Sequence, residues 1–292
     1  MGIEWHLVGH LTHRDRAWLG DGGALALGPL EAQVYLVRPI ITLTTDFGTV
    51  DGYVGEMKGV IATNAPDAQI IDITHDIPPQ DVERARLTVA RVWRRFPART
   101  THVVIVDPGV GSPRAALAVA SDERFLVGPD NGVLSPALLF AGMRAVELPV
   151  PRGASATFHG RDVFAPAAAA LACGASVDAL GQEAATPIVH RTPEPTRRPD
   201  GAIEGEVIVV DRFGNAVTNL IGRRGGALEF GAHRVILHGT YAEGSPGEAI
   251  AVVGSTGFIE IAVRDGNASA SLGLSRGARV VLHPDNADVV AR

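Results

Sequence analysis

The chain has 292 residues, 46% of them hydrophobic and 20% charged, which excludes a wholly disordered protein and allows one large or two ordinary domains. Its net charge of −6, without a long lysine or arginine run, argues against nucleic-acid binding through a basic face. The single cysteine, Cys173, excludes an internal disulfide and a cysteine-rich zinc site, and it fits the cytoplasmic location that we expect.

Residues 1–38 show no clean helix or strand period, and we expect an extension of uncertain order there. Their charged residues stand where a signal peptide needs an apolar core. No apolar run in the chain reaches the roughly 18–20 residues that a membrane helix needs, so we expect no membrane partner.

Regular patterns begin at Pro39 and alternate between strands and helices. The predicted strands cover 40–45, 69–73, 101–106, 117–120 and 125–127. The predicted helices cover 54–63, 81–96 and 163–172. This alternation predicts an α/β N-terminal domain with a largely parallel sheet over residues 39–190.

Four prolines between Thr186 and Gly201 predict a linker over residues 191–202. Beyond it the hydrophobic period changes to two, with short strands separated by glycine turns. These predicted strands cover 206–210, 234–238, 249–253, 258–263 and 279–282. We therefore expect a smaller all-β barrel C-terminal domain over residues 203–292.

Polar residues follow two predicted strands where each one ends. Asp46 follows the first strand, and Asp107 follows the strand at 101–106. Ligands of parallel α/β sheets bind beyond the carboxyl ends of the strands, so the two acids could share a crevice. Alternatively, each carboxylate caps its own turn.

His159 and Asp162 precede the predicted alanine-rich helix, where Asp162 could be the N-cap. A metal site built from Asp46, His75, Asp107 and His159 stays open as an alternative, although no pair has close metal-ligand spacing and we expect no metal. Cys173, at the end of that helix, reads as buried packing. Since all but one of the 26 lysine-plus-arginine residues are arginine, single arginines are weak evidence.

Several common sites are missing from the sequence. It contains no dinucleotide-binding glycine fingerprint, no phosphate-binding Walker loop and no Gly-x-Ser-x-Gly nucleophile elbow. The turn at 211–215 combines an aromatic ring with an amide, which suits an adenine as well as a hairpin.

Seven short motifs occur together and in order. They cover residues 43–48, 53–58, 72–75, 106–111, 129–132, 158–162 and 213–215. In this combination the chain resembles the S-adenosyl-L-methionine hydroxide adenosyltransferase family, whose cousins are the fluorinases and chlorinases. The resemblance spans roughly residues 39–285.

The resemblance implies an α/β domain, a β-barrel domain and a homotrimer with its sites between subunits. It implies hydrolysis of S-adenosylmethionine to adenosine and methionine, with no cofactor. The Asp-Arg-His set of the hydrolytic members matches Asp107, Arg114 and His159. Since an arginine partner weakens a carboxylate as a base, we assign Asp107 to orienting water and His159 to relaying the proton.

The resemblance also implies substrate contacts in both domains. Asp46 and Phe47 match the ribose-binding stretch, Phe213, Asn215 and Ala268 the adenine-binding one, and Asp211 and Ser255 the methionine end. Thr256 stands where the halogenases have an arginine for the methionine carboxylate, so the group that holds this carboxylate stays open. Two alternative functions remain: a non-catalytic adenosine- or S-adenosylmethionine-binding protein, and a halide-using adenosyltransferase.

Overall fold

The computed structural model of the protein describes residues 38–222 and 225–283. The predicted extension over residues 1–38 lies outside the described residues apart from Arg38. Across the two described ranges, none of the helices is both long and apolar enough to span a bilayer.

The N-terminal part contains a mixed sheet of seven strands in the order β2-β1-β3-β5-β4-β6-β7. The strands are β1 Ile40–Thr45, β2 Gln69–Thr74, β3 Thr101–Ile105, β4 Ala116–Ser121, β5 Arg124–Pro129, β6 Arg144–Glu147 and β7 Gln182–Glu183. The run β2-β1-β3-β5 is parallel, whereas β4, β6 and β7 pair antiparallel. The carboxyl ends of the parallel strands therefore meet at one edge, which carries the candidate site.

Helices cover both faces of this sheet. They are α1 Tyr53–Asn64, α2 Val82–Val92, α3 Ser135–Leu138 and α4 Ala165–Ala172. Helices α1 and α4 share one core with Met57 and Phe164, and α2 and α3 share the other with Val89 and Trp93. Helix α2 forms because apolar residues recur every three or four positions and the Asp81 carboxylate caps it by accepting from the Arg84 amide at 2.9 Å.

The C-terminal part is a closed barrel of seven strands. They are β9 Ile203–Val210, β10 Ala216–Ile221, β11 Ala227–Phe230, β12 His233–His238, β13 Ala249–Val253, β14 Phe258–Val263 and β15 Arg279–His283. The pairing of β9 with β10 closes the ring, and the short β8 (Thr196–Arg197) adds to β9. Helix α5, Ala268–Leu272, lies between β14 and β15.

The predicted combination of an α/β domain and a β-barrel is confirmed, but some local predictions are wrong. Five strands were not predicted from the sequence: β6, β7, β8, β10 and β11. Asp162 is not the helix N-cap: its carboxylate accepts instead from the Ser155 amide at 2.8 Å. Cys173 is exposed rather than packed inside. The domain boundaries at 191–202 stay a prediction.

Candidate active site

The strands β1 and β3 lie side by side, with Thr45 paired to Ile105 at their carboxyl ends. Asp46 follows β1 directly, and Asp107 stands two residues beyond β3. The chain after Asp107 then turns back along the loop before His159: Gly111, with φ of +76°, passes so close to the Ala156 carbonyl that a Cβ would lie 2.4 Å from its oxygen. This close passage brings Asp107, Arg114 and His159 together.

Arg114 is the centre of this cluster. Its Nε donates to Asp107 Oδ1 at 2.9 Å, and its Nη2 donates to Asp107 Oδ2 and, at 3.0 Å, to His159 Nδ1. The side chains of Asp107 and Arg114 are 6% and 10% exposed, and the guanidinium lies over the Phe164 ring. The guanidinium therefore holds both carboxylate oxygens and one imidazole nitrogen in place.

His159 is buried, and its hydrogen bond to Arg114 defines its tautomer. An arginine N–H always donates, so Nδ1 accepts and the neutral ring carries its proton on Nε2. Burial, followed by the positive charge of Arg114, lowers the pKa of His159 below its ordinary value, although Asp107 and Asp162 oppose this shift. His159 is therefore neutral near pH 7 and offers an N–H donor.

A cavity of about 350 Å³ opens beside this cluster. Asp107 and His159 line it, together with three aromatic rings: Phe47, Tyr53 and Phe158. The rings pack edge to face, with centroids 5.2–6.0 Å apart. Tyr53 and Phe158 were not among the predicted site residues, although both stand inside the seven motifs.

The segment that presents His159 is a π-helical turn, Gly160–Phe164, that runs directly into α4. Gly160 lies against Phe158 and Met57, where a Cβ would approach the Phe158 ring to 2.9 Å. Single π turns inside helices are rare and often occur at functional sites. Here the turn places His159 and Phe158 on the same cavity.

Asp46 lies beside the cavity rather than among its lining residues. Its Oδ2 accepts from the Gln80 amide at 2.8 Å, which ties the end of β1 to the start of α2. Behind it, Thr45 Oγ1 lies 2.8 Å from His75 Nδ1, and Asp72 lies between His75 and Lys58. His75 therefore contacts side chains of the fold on both of its ring nitrogens. The described residues contain no group of three or more histidine, cysteine or acidic side chains placed to hold a metal ion.

The predicted residues of the barrel form a second group around the β9–β10 turn. Asp211 Oδ1 accepts from the amides of Phe213 and Asn215 at 2.8 and 2.9 Å, and Oδ2 accepts from Asn215 Nδ2 at 3.0 Å. The turn leaves the Phe213 ring 76% exposed. Ala268 is fully buried beside it, where the next residue, Ser269, donates its amide to the Gly214 carbonyl.

Ser255 lies in the β13–β14 turn, where its Oγ accepts from Arg91 Nη2 of α2 at 3.1 Å. Among the described residues that line the cavity of about 350 Å³, none belongs to the barrel. Within one chain the structure thus brings Asp107, Arg114, His159 and Phe47 together. It leaves Asp211, Phe213, Asn215, Ser255 and Ala268 on the barrel.

Both parts of the chain match models of known protein families. Residues 41–181 match the model of the SAM hydroxide adenosyltransferase N-terminal domain, and residues 205–281 match that of the C-terminal domain. The chain belongs to the SAM hydroxide adenosyltransferase family. The two matches fall on the α/β part and the barrel that were described above.

The similarity of the chain to individual proteins supports its assignment to this family. An (R)-S-adenosyl-L-methionine hydrolase of Thermus thermophilus is 40% identical over 260 residues, which cover 84% of this chain and 100% of that protein. A fluorinase of Actinopolyspora mzabensis is 26% identical over 83% of this chain and 96% of its own. A crystal structure of an uncharacterized conserved protein from Thermotoga maritima has a TM-score of 0.76, at 32% identity over 83% of this chain and 99% of that one.

Proposed function

We propose that the protein hydrolyses S-adenosyl-L-methionine to adenosine and L-methionine. The observation that carries this proposal is the joining of Asp107 and His159 through Arg114 at the wall of an aromatic-lined cavity. Family membership and the name of the Thermus relative support it. Because that relative is named for the (R) form, we expect the (R) epimer at sulfur to be the preferred substrate.

The reaction balances without a cofactor. A water oxygen forms a bond to ribose C5′, the C5′–S bond breaks, and its electron pair stays on sulfur, which leaves as the neutral thioether of methionine. The water loses one proton, and the leaving group needs none. Because bulk water has a pKa of about 15.7, the enzyme has to supply a proton acceptor and to align the oxygen opposite sulfur.

The hydrogen-bond pattern favours a different division of roles from the one that the sequence suggested. His159 Nδ1 faces an arginine donor, so the ring cannot take a proton there, and Nε2 already carries one. We therefore assign the proton-accepting role to Asp107. His159 donates from Nε2 to the water oxygen or to the developing hydroxyl, and Arg114 holds both groups in place.

The aromatic wall supports the same chemistry. Attack of an oxygen with hydroxide character on a sulfonium cancels charge in the transition state, which a poorly solvated environment favours. Phe47, Tyr53 and Phe158 form that environment on one side of the cavity. Asp46 then binds the ribose hydroxyls, since a carboxylate can accept both protons.

The remaining substrate contacts come from the barrel of a neighbouring subunit in a homotrimer. Phe213 and Asn215, with Ala268 beside them, meet the adenine, while Asp211 and Ser255 meet the methionine end. The exposure of the Phe213 ring supports this arrangement, because a large apolar ring in water is free to enter an interface. We also propose a cytoplasmic location, which a single cysteine permits.

Hydrolysis in ¹⁸O-labelled water tests the proposal. The native protein is incubated with each sulfur epimer of S-adenosylmethionine, with and without halide and with and without EDTA, and the masses of the separated products are measured. We expect one ¹⁸O atom in the 5′-hydroxyl of adenosine and none in methionine. Binding without turnover would favour the non-catalytic alternative, turnover that requires chloride or fluoride would favour the halide-using one, and loss of activity in EDTA would favour a metal site.

A further inference from the structure

A second cleft lies between α2 and the barrel, with a volume of about 640 Å³. One side is lined by α2 with its arginines and, beyond the helix, by Arg94, Arg95 and Arg124, and the other side by both polar and apolar residues of the barrel. The residues that matter here are Arg84, Arg91, Asp211, Thr256 and Glu260. None of the described residues that line the aromatic cavity also lines this cleft.

Arg84 and Arg91 stand seven residues apart, so they project from the same side of α2 toward the barrel. Both have neutral acceptors: Arg84 donates to the Val210 carbonyl and Arg91 to the Ser255 hydroxyl. Within residues 38–222 and 225–283, neither guanidinium forms an ion pair within 4.0 Å. Burial lowers the pKa of Arg84, although the negative charges of Asp211 and Asp81 oppose this shift.

The opposite wall carries carboxylates, Asp211 and Glu260. Such a pairing of charges suits an α-amino acid group, which offers a carboxylate to the arginines and an ammonium to the acids. The cleft therefore presents charges of both signs to a zwitterion.

We propose that Arg91, with Arg84 beside it, binds the carboxylate of the methionine portion of the substrate. The inference rests on the proposed function, and it identifies a group for the carboxylate in a chain that has Thr256 at the barrel position. Since Arg91 already donates to Ser255, the subunit that supplies the barrel also supplies α2 to the site. Arg91 is thus a substrate-binding residue that the sequence analysis placed neither among the catalytic residues nor among the substrate contacts.

Decarboxylated S-adenosylmethionine is a matched probe, because it keeps the sulfonium, the adenosine and the amine but lacks the carboxylate. We compare the native protein, Arg91→Gln and Arg91→Lys on both compounds. The control is Arg234→Gln, an equal loss of charge at an exposed barrel arginine that pairs with Glu229.

For the native protein we expect kcat/KM for S-adenosylmethionine to exceed that for the decarboxylated probe roughly 10- to 100-fold, the range of a charged hydrogen-bond contact. Arg91→Gln should lose this preference through weaker use of S-adenosylmethionine alone, with the change in KM rather than kcat. Arg91→Lys should recover part of this preference, since lysine keeps the positive charge but lacks the planar guanidinium that can contact both carboxylate oxygens.

An equal loss on both compounds would make Arg91 a structural residue and overturn the proposal, as would an unchanged preference in Arg91→Gln. If the native protein hydrolysed neither compound, the proposed function would fail separately. Calorimetric affinities for the same compounds would then test the role of Arg91. Tighter binding of the compound with the carboxylate, abolished in Arg91→Gln, would support that role. Equal affinities for the two compounds would overturn it.

Discussion

Arg114 donates to Nδ1 of His159 across 3.0 Å while it holds both carboxylate oxygens of Asp107. One guanidinium thus determines the tautomer of the imidazole and the orientation of the acid. Because arginine keeps its protons at every relevant pH, these two constraints persist through the reaction cycle. The remaining ionisable groups of the cluster are the ones whose substitution and titration are informative.

Asp107→Asn should lower kcat by at least about 100-fold, because the amide cannot accept the proton that water loses. Asparagine can still accept from Arg114, so the affinity for adenosine should change less than about threefold. Steady-state kinetics and calorimetry measure the two quantities. Asp178→Asn, at an exposed acid that pairs with Arg144, is the control. A kcat within tenfold of the native value would reject the role of Asp107.

The pH profile of kcat/KM should have an acid limb caused by His159. Its pKa lies below the ordinary value of about 6.5, so the ring is neutral at pH 7 and becomes protonated only under more acidic conditions. Protonation puts a hydrogen on Nδ1, against the Arg114 donor, and activity should fall as the pH drops below that lowered pKa.

His159→Asn is the matched variant for this profile. Its side-chain oxygen can accept from Arg114 and its amide can donate, but it does not titrate, so this acid limb should disappear while part of the activity remains. His159→Ala should lower kcat over the whole pH range. The same acid limb in native protein and His159→Asn would assign the titration to another group.

Asp46→Asn should weaken adenosine binding roughly tenfold, because a neutral amide accepts the ribose hydroxyls less strongly than a carboxylate does. The substitution keeps an oxygen for the Gln80 amide, which is 2.8 Å from Asp46 Oδ2 in the native protein. Binding of 2′,3′-dideoxyadenosine is the control, since it lacks both hydroxyls. A similar loss of affinity for that compound would show that Asp46 acts through the loop instead.

Gly160→Ala should lower the free energy of unfolding by about 1–3 kcal/mol, the usual cost of overpacking. Its Cβ would lie 2.9 Å from the Phe158 ring and 3.2 Å from Met57 Sδ, and neither neighbour is a flexible exposed side chain. Gly55→Ala in α1 is the matched control: nothing lies within 4 Å of its Cβ, and alanine favours the helix by about 0.5–1 kcal/mol. Urea unfolding of the two variants should therefore shift in opposite directions.

His102 should make the fold sensitive to acid. It is buried next to Phe96, its Nδ1 lies 2.7 Å from Thr42 Oγ1, and burial lowers its pKa to about 4. In the unfolded chain the pKa is about 6.5, so the stability that the neutral ring contributes is present above that pH and is lost as the pH falls toward 4.

His102→Gln removes this titration, and its free energy of unfolding should depend less steeply on pH between 6.5 and 4 than that of the native protein. Urea titrations at several pH values measure this slope. His233→Gln, at an exposed histidine of the barrel, is the control substitution. Equal slopes for the native protein and His102→Gln would contradict the prediction.

The fold class could be predicted from the sequence because the spacing of apolar residues shows which face of each helix or strand is buried. Helix α2 repeats apolar residues at helical spacing, and β13 and β14 were predicted with their observed bounds. Strand β10 was missed because it follows the Gly214-Asn215 turn and buries Thr218, Asn219 and Leu220 in succession, which breaks the alternation of a half-exposed strand. Strand β11 has four residues, too few for a period.

The candidate site was predictable at strand ends but not where separate segments meet. Asp107 and His159 stand next to regular elements, so their positions could be inferred. Tyr53 and Phe158 are 105 residues apart, and only the packing of α1 against the π turn shows that their rings share a cavity. Arg91 carried no signal, because a chain with so many arginines gives little weight to any one of them.

Lys58 is the one lysine in the sequence, and its Nζ lies 2.6 Å from Asp72 on the surface of α1. Apart from the amino terminus, an amine-reactive dye therefore has a single side-chain target in the native chain. Once the ion pair with Asp72 opens, labelling yields one side-chain fluorophore per chain at a known position. In the proposed homotrimer, energy transfer between such dyes would report the spacing of subunits without any engineered residue.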